Sequence, residues 1–215
     1  RKHNICSKTA PKRKGYKMAQ AVTLTQQQLQ RVLDYLRTRR HYKRNRAIIL
    51  LTHYAMLRVG EVAALRYCDV VGENGKVRDE IRLLPEQTKG KVARTVFVND
   101  KLRRELQQYA DSRKWPAETQ PFFYTQKRTG FSANTAAQHF YQLYKAAGID
   151  GASSHSGRRT FITSLAAKGV SVRVLASLAG HANISTTQAY IDVNDEMKRA
   201  AVELISAAAS QKFPN

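Results

Sequence analysis

Acidic residues are scarce in this chain: 16 Asp and Glu stand against 37 Lys and Arg in 215 residues, a formal charge of +21. Such an imbalance selects a negatively charged partner, nucleic acid foremost. Cysteine is almost absent. Cys6 and Cys68 are too few for a disulfide framework or a zinc site, which points to a reducing compartment, and Cys68, set in an apolar segment, reads as a small core residue. No apolar run approaches the roughly 18 residues needed to span a bilayer, and no signal-peptide pattern opens the chain. The expectation is therefore a soluble protein, cytoplasmic and associated with the nucleoid, with no membrane partner. No His, Cys, Asp or Glu cluster has metal-ligand spacing, so neither a metal nor another cofactor is expected, and two-metal nuclease chemistry, which needs converging carboxylates, is disfavoured.

What is present falls into three parts. Residues 1–22 carry seven cations, Lys12, Arg13 and Lys14 among them, with no acid and few apolar residues. They do not fold alone, and read either as an arm that gains order on DNA or as a leader or linker. From Thr23 the pattern becomes globular, with enough apolar residues for one sizeable core. Thr25 and Gln28 form a capping box before Leu29, Val32, Leu33 and Leu36, and Ala47 to Leu57 reads as a buried helix. Segments 80–84 and 92–98 flank Thr88-Lys89-Gly90-Lys91 and read as a β-hairpin. Asn99 or Asp100 caps a helix to about residue 112, Ser132 one that ends at Gly148, and further helices run from about Ser154 to Gly169 and from Ser171 to Gly180. A last amphipathic helix is expected over 195–209. The fold class is α+β, mainly α-helical, with a small antiparallel hairpin near residues 80–98.

The chemistry-bearing residues gather late. His155, Arg158, His181 and Tyr190 lie in a stretch without a single Asp or Glu, a combination suited to an anion. A phenol is a competent nucleophile toward a phosphodiester if cations hold the nonbridging oxygens and lessen the charge repulsion. The cost is appreciable: a free tyrosine with pKa near 10 must give up roughly 4 kcal/mol to become phenolate at pH 7. A second guanidinium is needed, and Arg58, in Leu57-Arg58-Val59-Gly60-Glu61 at the end of the apolar helix, qualifies with Glu61 to orient it. Taken singly, an Arg–Glu pair is more often an internal ion pair, and a lone His or Tyr a cap or core residue; His41, His53 and His139 stay in that class.

Arg58-x-x-Glu61, the hairpin lysine, His155-x-x-Arg158, Gly180-His181 and Tyr190 occur in the order found in tyrosine recombinases of the phage integrase family, and residues 23–193 resemble that family's catalytic domain. Two positions depart from the usual pattern: Met56 stands where a glycine is common, and Gly157-Arg158-Arg159 where Leu-Arg-His is common. The resemblance implies the tyrosine-recombinase catalytic fold and metal-free strand exchange. Tyr190 would attack the scissile phosphate to give a 3′-phosphotyrosyl intermediate and a free 5′-hydroxyl, Arg58 and Arg158 would clamp the phosphate, and His155 would assist proton transfer. His181 would stabilise the phosphate or leaving group, and Lys89, favoured over Lys91, would protonate the departing oxygen.

Lys12, Arg13, Lys14, Lys91 and Arg159 are expected DNA contacts. The implied partners are double-stranded DNA, further copies of the chain in a tetramer on two DNA sites, and accessory DNA-bending proteins. The tail, 194–215, would pack on its own domain or on a neighbour. Two other readings stand beside this one: a type IB-like topoisomerase with a similar site, and a non-enzymatic DNA-binding regulator in which residues 171–191 form a helix-turn-helix.

Overall fold

The computed structural model describes residues 21–191 other than 116 and 128, together with 195, 198, 199 and 201–203. The basic segment with Lys12, Arg13 and Lys14, and most of the helix expected over 195–209, lie outside the described residues.

The chain starts where its local signals say it should. Thr25 accepts from the Gln28 backbone N–H while the Gln28 side chain returns to Thr25, opening helix α1, Gln26–Arg37, whose Leu29, Val32, Leu33 and Leu36 are buried. Helix α2, Tyr42–Tyr54, is buried from Arg44 to His53 and packs on α5, Asp100–Ala110, and α7, Ser156–Ala167. It ends earlier than the apolar run suggests. Met56 adopts a left-handed φ of 52°, which a helix cannot accommodate, so the backbone turns and Arg58 becomes the N-cap of a separate short helix α3, Val59–Ala64. Arg58 thus sits in the break between α2 and α3, not on the end of α2.

Helix α4, Tyr67–Val70, leads to the expected hairpin: β1, Glu80–Leu83, pairs antiparallel with β2, Arg94–Phe97, with Ile81 opposite Val96. A 3₁₀ turn at Pro85–Gln87 begins the connection that carries Lys89 and Lys91. Asn99 caps α5 and Ser132 caps α6, Ala133–Ala146, as their sequences indicate. Ser171 caps α8, Val172–Ala179, which Gly180 ends with φ 60°, and Asn183 caps the five-residue α9, Ile184–Gln188.

Among the described residues two apolar clusters result. The larger unites α1, α2, the hairpin, α5 and α6 around Leu29, Ile49, Ile81 and Phe140. The smaller holds Met56, Ile162, Ala166, Leu175 and Ala179, with Tyr190 and Ile191 packed on it. Cys68 is half-buried, between core and surface. Among the described residues, no helix is long and apolar enough to cross a membrane.

Candidate active site

Arg158 is the centre of the site. It lies in the first turn of α7, whose approach to α2 is so close that a Cβ on Gly157 would meet Thr52 Oγ1 at 2.6 Å. The residue is only 3% exposed. It donates to the carbonyls of Met56 and Ala179, and its Nη2 lies 2.9 Å from His181 Nε2. Because a guanidinium only donates, Nε2 must accept, and the proton of His181 resides on Nδ1, 2.7 Å from Thr187 Oγ1. His181 is therefore neutral. Burial, then the charges of Arg158, Arg58 and Arg94, lower its pKa to about 4, and burial with the same two neighbouring arginines brings Arg158 down to about 9.

Arg58 reaches the adjoining carbonyl, that of Gly180. Its backbone N–H and its Nη1 both donate to Glu61, at 2.7 and 2.9 Å, and its Nη2 donates to Gly180 O at 2.9 Å. Glu61 is buried and carries a second guanidinium: Arg94 Nη2 lies 2.6 Å from its Oε2, while Arg94 Nη1 donates to Leu178 O at 3.1 Å. Burial pushes the Glu61 carboxyl up, but the hydrogen bond and charge of Arg94, followed by those of Arg58, hold it below the usual carboxylate range. Arg94 was not among the residues expected at the site. The signal was present, since strand alternation puts Arg94 on the inward face with Val96, where a cation demands a partner.

Tyr190 follows α9, half-buried against the small cluster. Its ring stacks on His181 with centroids 6.0 Å apart, and the Arg159 guanidinium lies 5.7 Å from its centroid. Arg159 thus adjoins the phenol. His155 is the N-cap residue of α7 but makes no capping bond; its ring is exposed. Partial loss of hydration, then the charges of Arg158, Arg58 and Lys89, lower its pKa. Lys91, with a left-handed φ of 51°, is not among those influences. His53 and His139 lie elsewhere, in the core packing around α2. Four segments distant in sequence therefore bring Arg58, Arg94, Arg158, Arg159, His155, His181 and Tyr190 into one neighbourhood, in which Arg58 and Arg94 share the buried Glu61. Such a group can hold the charged oxygens of a tetrahedral phosphodiester next to a phenol.

A family model described as the phage integrase family matches residues 22–197. The tyrosine recombinase XerA of Pyrococcus horikoshii is 30% identical over 163 residues, covering 74% of this chain and 54% of that protein. Its counterpart in Thermococcus kodakarensis is 31% identical over 184 residues, covering 84% and 61%. The chain thus spans a little over half the length of these relatives. A crystal structure of XerA recombinase matches with a TM-score of 0.68 at 26% identity, over 89% of this chain and 66% of that one. The Tn1549 transposon integrase, solved in complex with transposon right end DNA, shares the fold with a TM-score of 0.66 at 20% identity, over 86% and 66% of the two chains.

Proposed function

The chain belongs to the phage integrase family, and from that premise we propose that it is the catalytic part of a site-specific recombinase that cuts and rejoins double-stranded DNA through Tyr190. The observation that carries this reading is the buried Arg158 bonded to His181, on which the Tyr190 ring stacks, with Arg58 held by Glu61 across Gly180. Tyr190 Oη attacks the scissile phosphorus, the bond to the 5′-oxygen breaks, and a 3′-phosphotyrosyl ester remains. The 5′-hydroxyl of a partner strand reverses the step, so the energy of the broken ester is conserved.

The remaining roles have the following support. Arg58 and Arg158 present guanidiniums to the nonbridging oxygens. His155, its pKa lowered, is neutral near pH 7 and able to accept the Tyr190 proton. His181 spends Nε2 on Arg158; a phosphate oxygen that took over that bond would let Nε2 carry the proton, with the Thr187 hydroxyl then donating to Nδ1. Lys89 is the acid for the leaving oxygen, supported over Lys91 by its charge being felt at His155. Lys91 and Arg159, together with Lys12, Arg13 and Lys14, contribute charge toward DNA. Assembly into a tetramer on two DNA sites, with the tail 194–215 exchanged between protomers and DNA-bending proteins assisting, completes the proposal and places the protein on the nucleoid.

The alternatives are not favoured. Residues 171–191 do form helix, turn, helix, but α9 is five residues long and its buried Thr187 is committed to His181, so the element serves the site. A suicide DNA substrate bearing the correct target should become covalently attached to the protein, and Tyr190→Phe should abolish the adduct while sparing DNA binding. An adduct that persisted in the Phe variant would overturn the nucleophile. A 5′-phosphorothiolate leaving group, which needs no proton, should restore cleavage to Lys89→Ala; rescue of Lys91→Ala alone would transfer the role to Lys91.

A further inference from the structure

At the end of α2 remote from Arg58 lies a second collection of cations that the chemistry above does not use. Arg40, His41, Lys43, Arg44 and Arg113 line a recess of about 590 Å³ together with Tyr124, and no described acidic side chain lines it. Arg44 is only 7% exposed, yet among the described residues it has no carboxylate partner. Its Nε and Nη2 donate to Asn45 Oδ1 at 3.1 and 3.0 Å, and its Nη1 to Tyr124 O at 2.7 Å. Three of its five N–H groups are thereby used, leaving two on a guanidinium that is already fixed in place. Arg113 is held by stacking, 4.1 Å from the Tyr124 ring centroid and 4.6 Å from that of Trp115. Its Nε is buried without a hydrogen-bond partner.

Among the described residues no carboxylate lines the recess to offset this charge. The recess adjoins the N-terminus of α2, where His41 makes no capping bond and the first turn has no acid, so the helix dipole adds to the positive field. The cations act on one another: burial and then Arg113 weigh against the charged form of Arg44, and His41 is lowered by burial and then by Arg44 and Arg40. Burying a guanidinium without a counter-charge is expensive, and the cost is recovered when an anion arrives.

We propose that this recess is a second phosphate-binding site, which grips the DNA backbone away from the point of cleavage. The proposal rests on the reading of the chain as a DNA recombinase and deepens it. Duplex backbone is favoured over an acidic polypeptide because α2, at 13 residues, separates the recess from Arg58 by about 20 Å. A duplex running along α2 would span that distance in about six base pairs of axial rise. Planar, prefixed guanidiniums also suit phosphate oxygens better than flexible side-chain carboxylates.

The test is made in the Tyr190→Phe protein, so that binding is measured without cleavage. The variant Arg40→Gln, Lys43→Gln, Arg113→Gln should lower the slope of log Kd against log salt for a duplex by about 2–3, one phosphate contact per lost cation. Lys43 should also be shielded by the duplex from amine acylation, read by mass spectrometry. Should the triple variant fail to fold, the exposed Arg40→Gln alone should lower the slope by about 1. An unchanged slope overturns the proposal. So does shielding of Lys43 by inorganic phosphate or polyglutamate but not by duplex. Failure of the unsubstituted protein to form the Tyr190 adduct would count against the cleavage chemistry, and the binding slopes would still decide the recess.

Discussion

At Glu61 one buried carboxylate is shared by two guanidiniums, Arg58 on its own helix start and Arg94 from the hairpin. Removing the charge leaves both arginines facing each other in a partly desolvated space, so Glu61→Gln should cost about 3–5 kcal/mol of stability, the usual penalty for breaking a buried pair. Urea unfolding checks this; a loss under 1 kcal/mol would remove Glu61 from that role. Arg94→Gln should be milder in stability, because Glu61 keeps Arg58, yet should slow adduct formation by uncoupling the hairpin from Leu178. Most of these residues could be named from the sequence because Arg58, His155, Arg158 and Tyr190 stand in apolar or acid-free surroundings that make their charge conspicuous. Arg94 was masked by its neighbours Arg82 and Lys91 in the same basic hairpin; strand alternation with Val96 was the one signal that set it apart.

Elements were legible where a cap announces them. Thr25, Asn99, Ser132 and Ser171 each accept the expected backbone N–H, a local bond that needs no tertiary contact. The break after Tyr54 was hidden, because Met56 is an ordinary helix residue until the fold forces its φ to 52°. Glycine, common at this place in the family, adopts that backbone without strain. The reward for strain here is the Met56 carbonyl, turned to receive Arg158. The crossing of α2 and α7 is equally specific. Gly157→Ala would drive a methyl into Thr52 Oγ1 and toward the His53 backbone N, so a loss of about 1–3 kcal/mol is expected from overpacking, with cleavage impaired as Arg158 moves. A thermal melt unchanged from the parent would show that the crossing yields. Gly180 is constrained twice, by its φ of 60° and by Arg94 Cδ, 2.7 Å from where a Cβ would stand.

For the whole molecule, the excess of cations makes acid the weak side. His53, His139 and His181 each have a folded pKa of about 4, set first by burial and then by neighbouring cations. Between the unfolded value near 6.5 and the folded value near 4, the unfolded chain binds protons that the folded one refuses. Stability is therefore full above about pH 6.5 and falls as pH drops toward 4, at up to about 1.4 kcal/mol per pH unit for each of His53 and His139, and by less for the half-buried His181, where solvent screens the neighbouring charges. Glu61, depressed below the carboxylate range, adds its loss at still lower pH. Urea midpoints at pH 7, 5.5 and 4.5 should decline steadily, and a flat series would contradict the neutral, buried assignment.

Sequence by itself determined the cationic character, the helix starts, the hairpin and the order of the chemical groups, because charge, capping and alternation act over a few neighbouring residues. Tertiary structure alone decided that Arg94 shares Glu61, that Met56 turns its carbonyl to Arg158, and that His181 is neutral with its proton on Nδ1. Those outcomes depend on burial and on partners tens of residues away, and desolvation, which sets them, exists only once the chain has closed around the site.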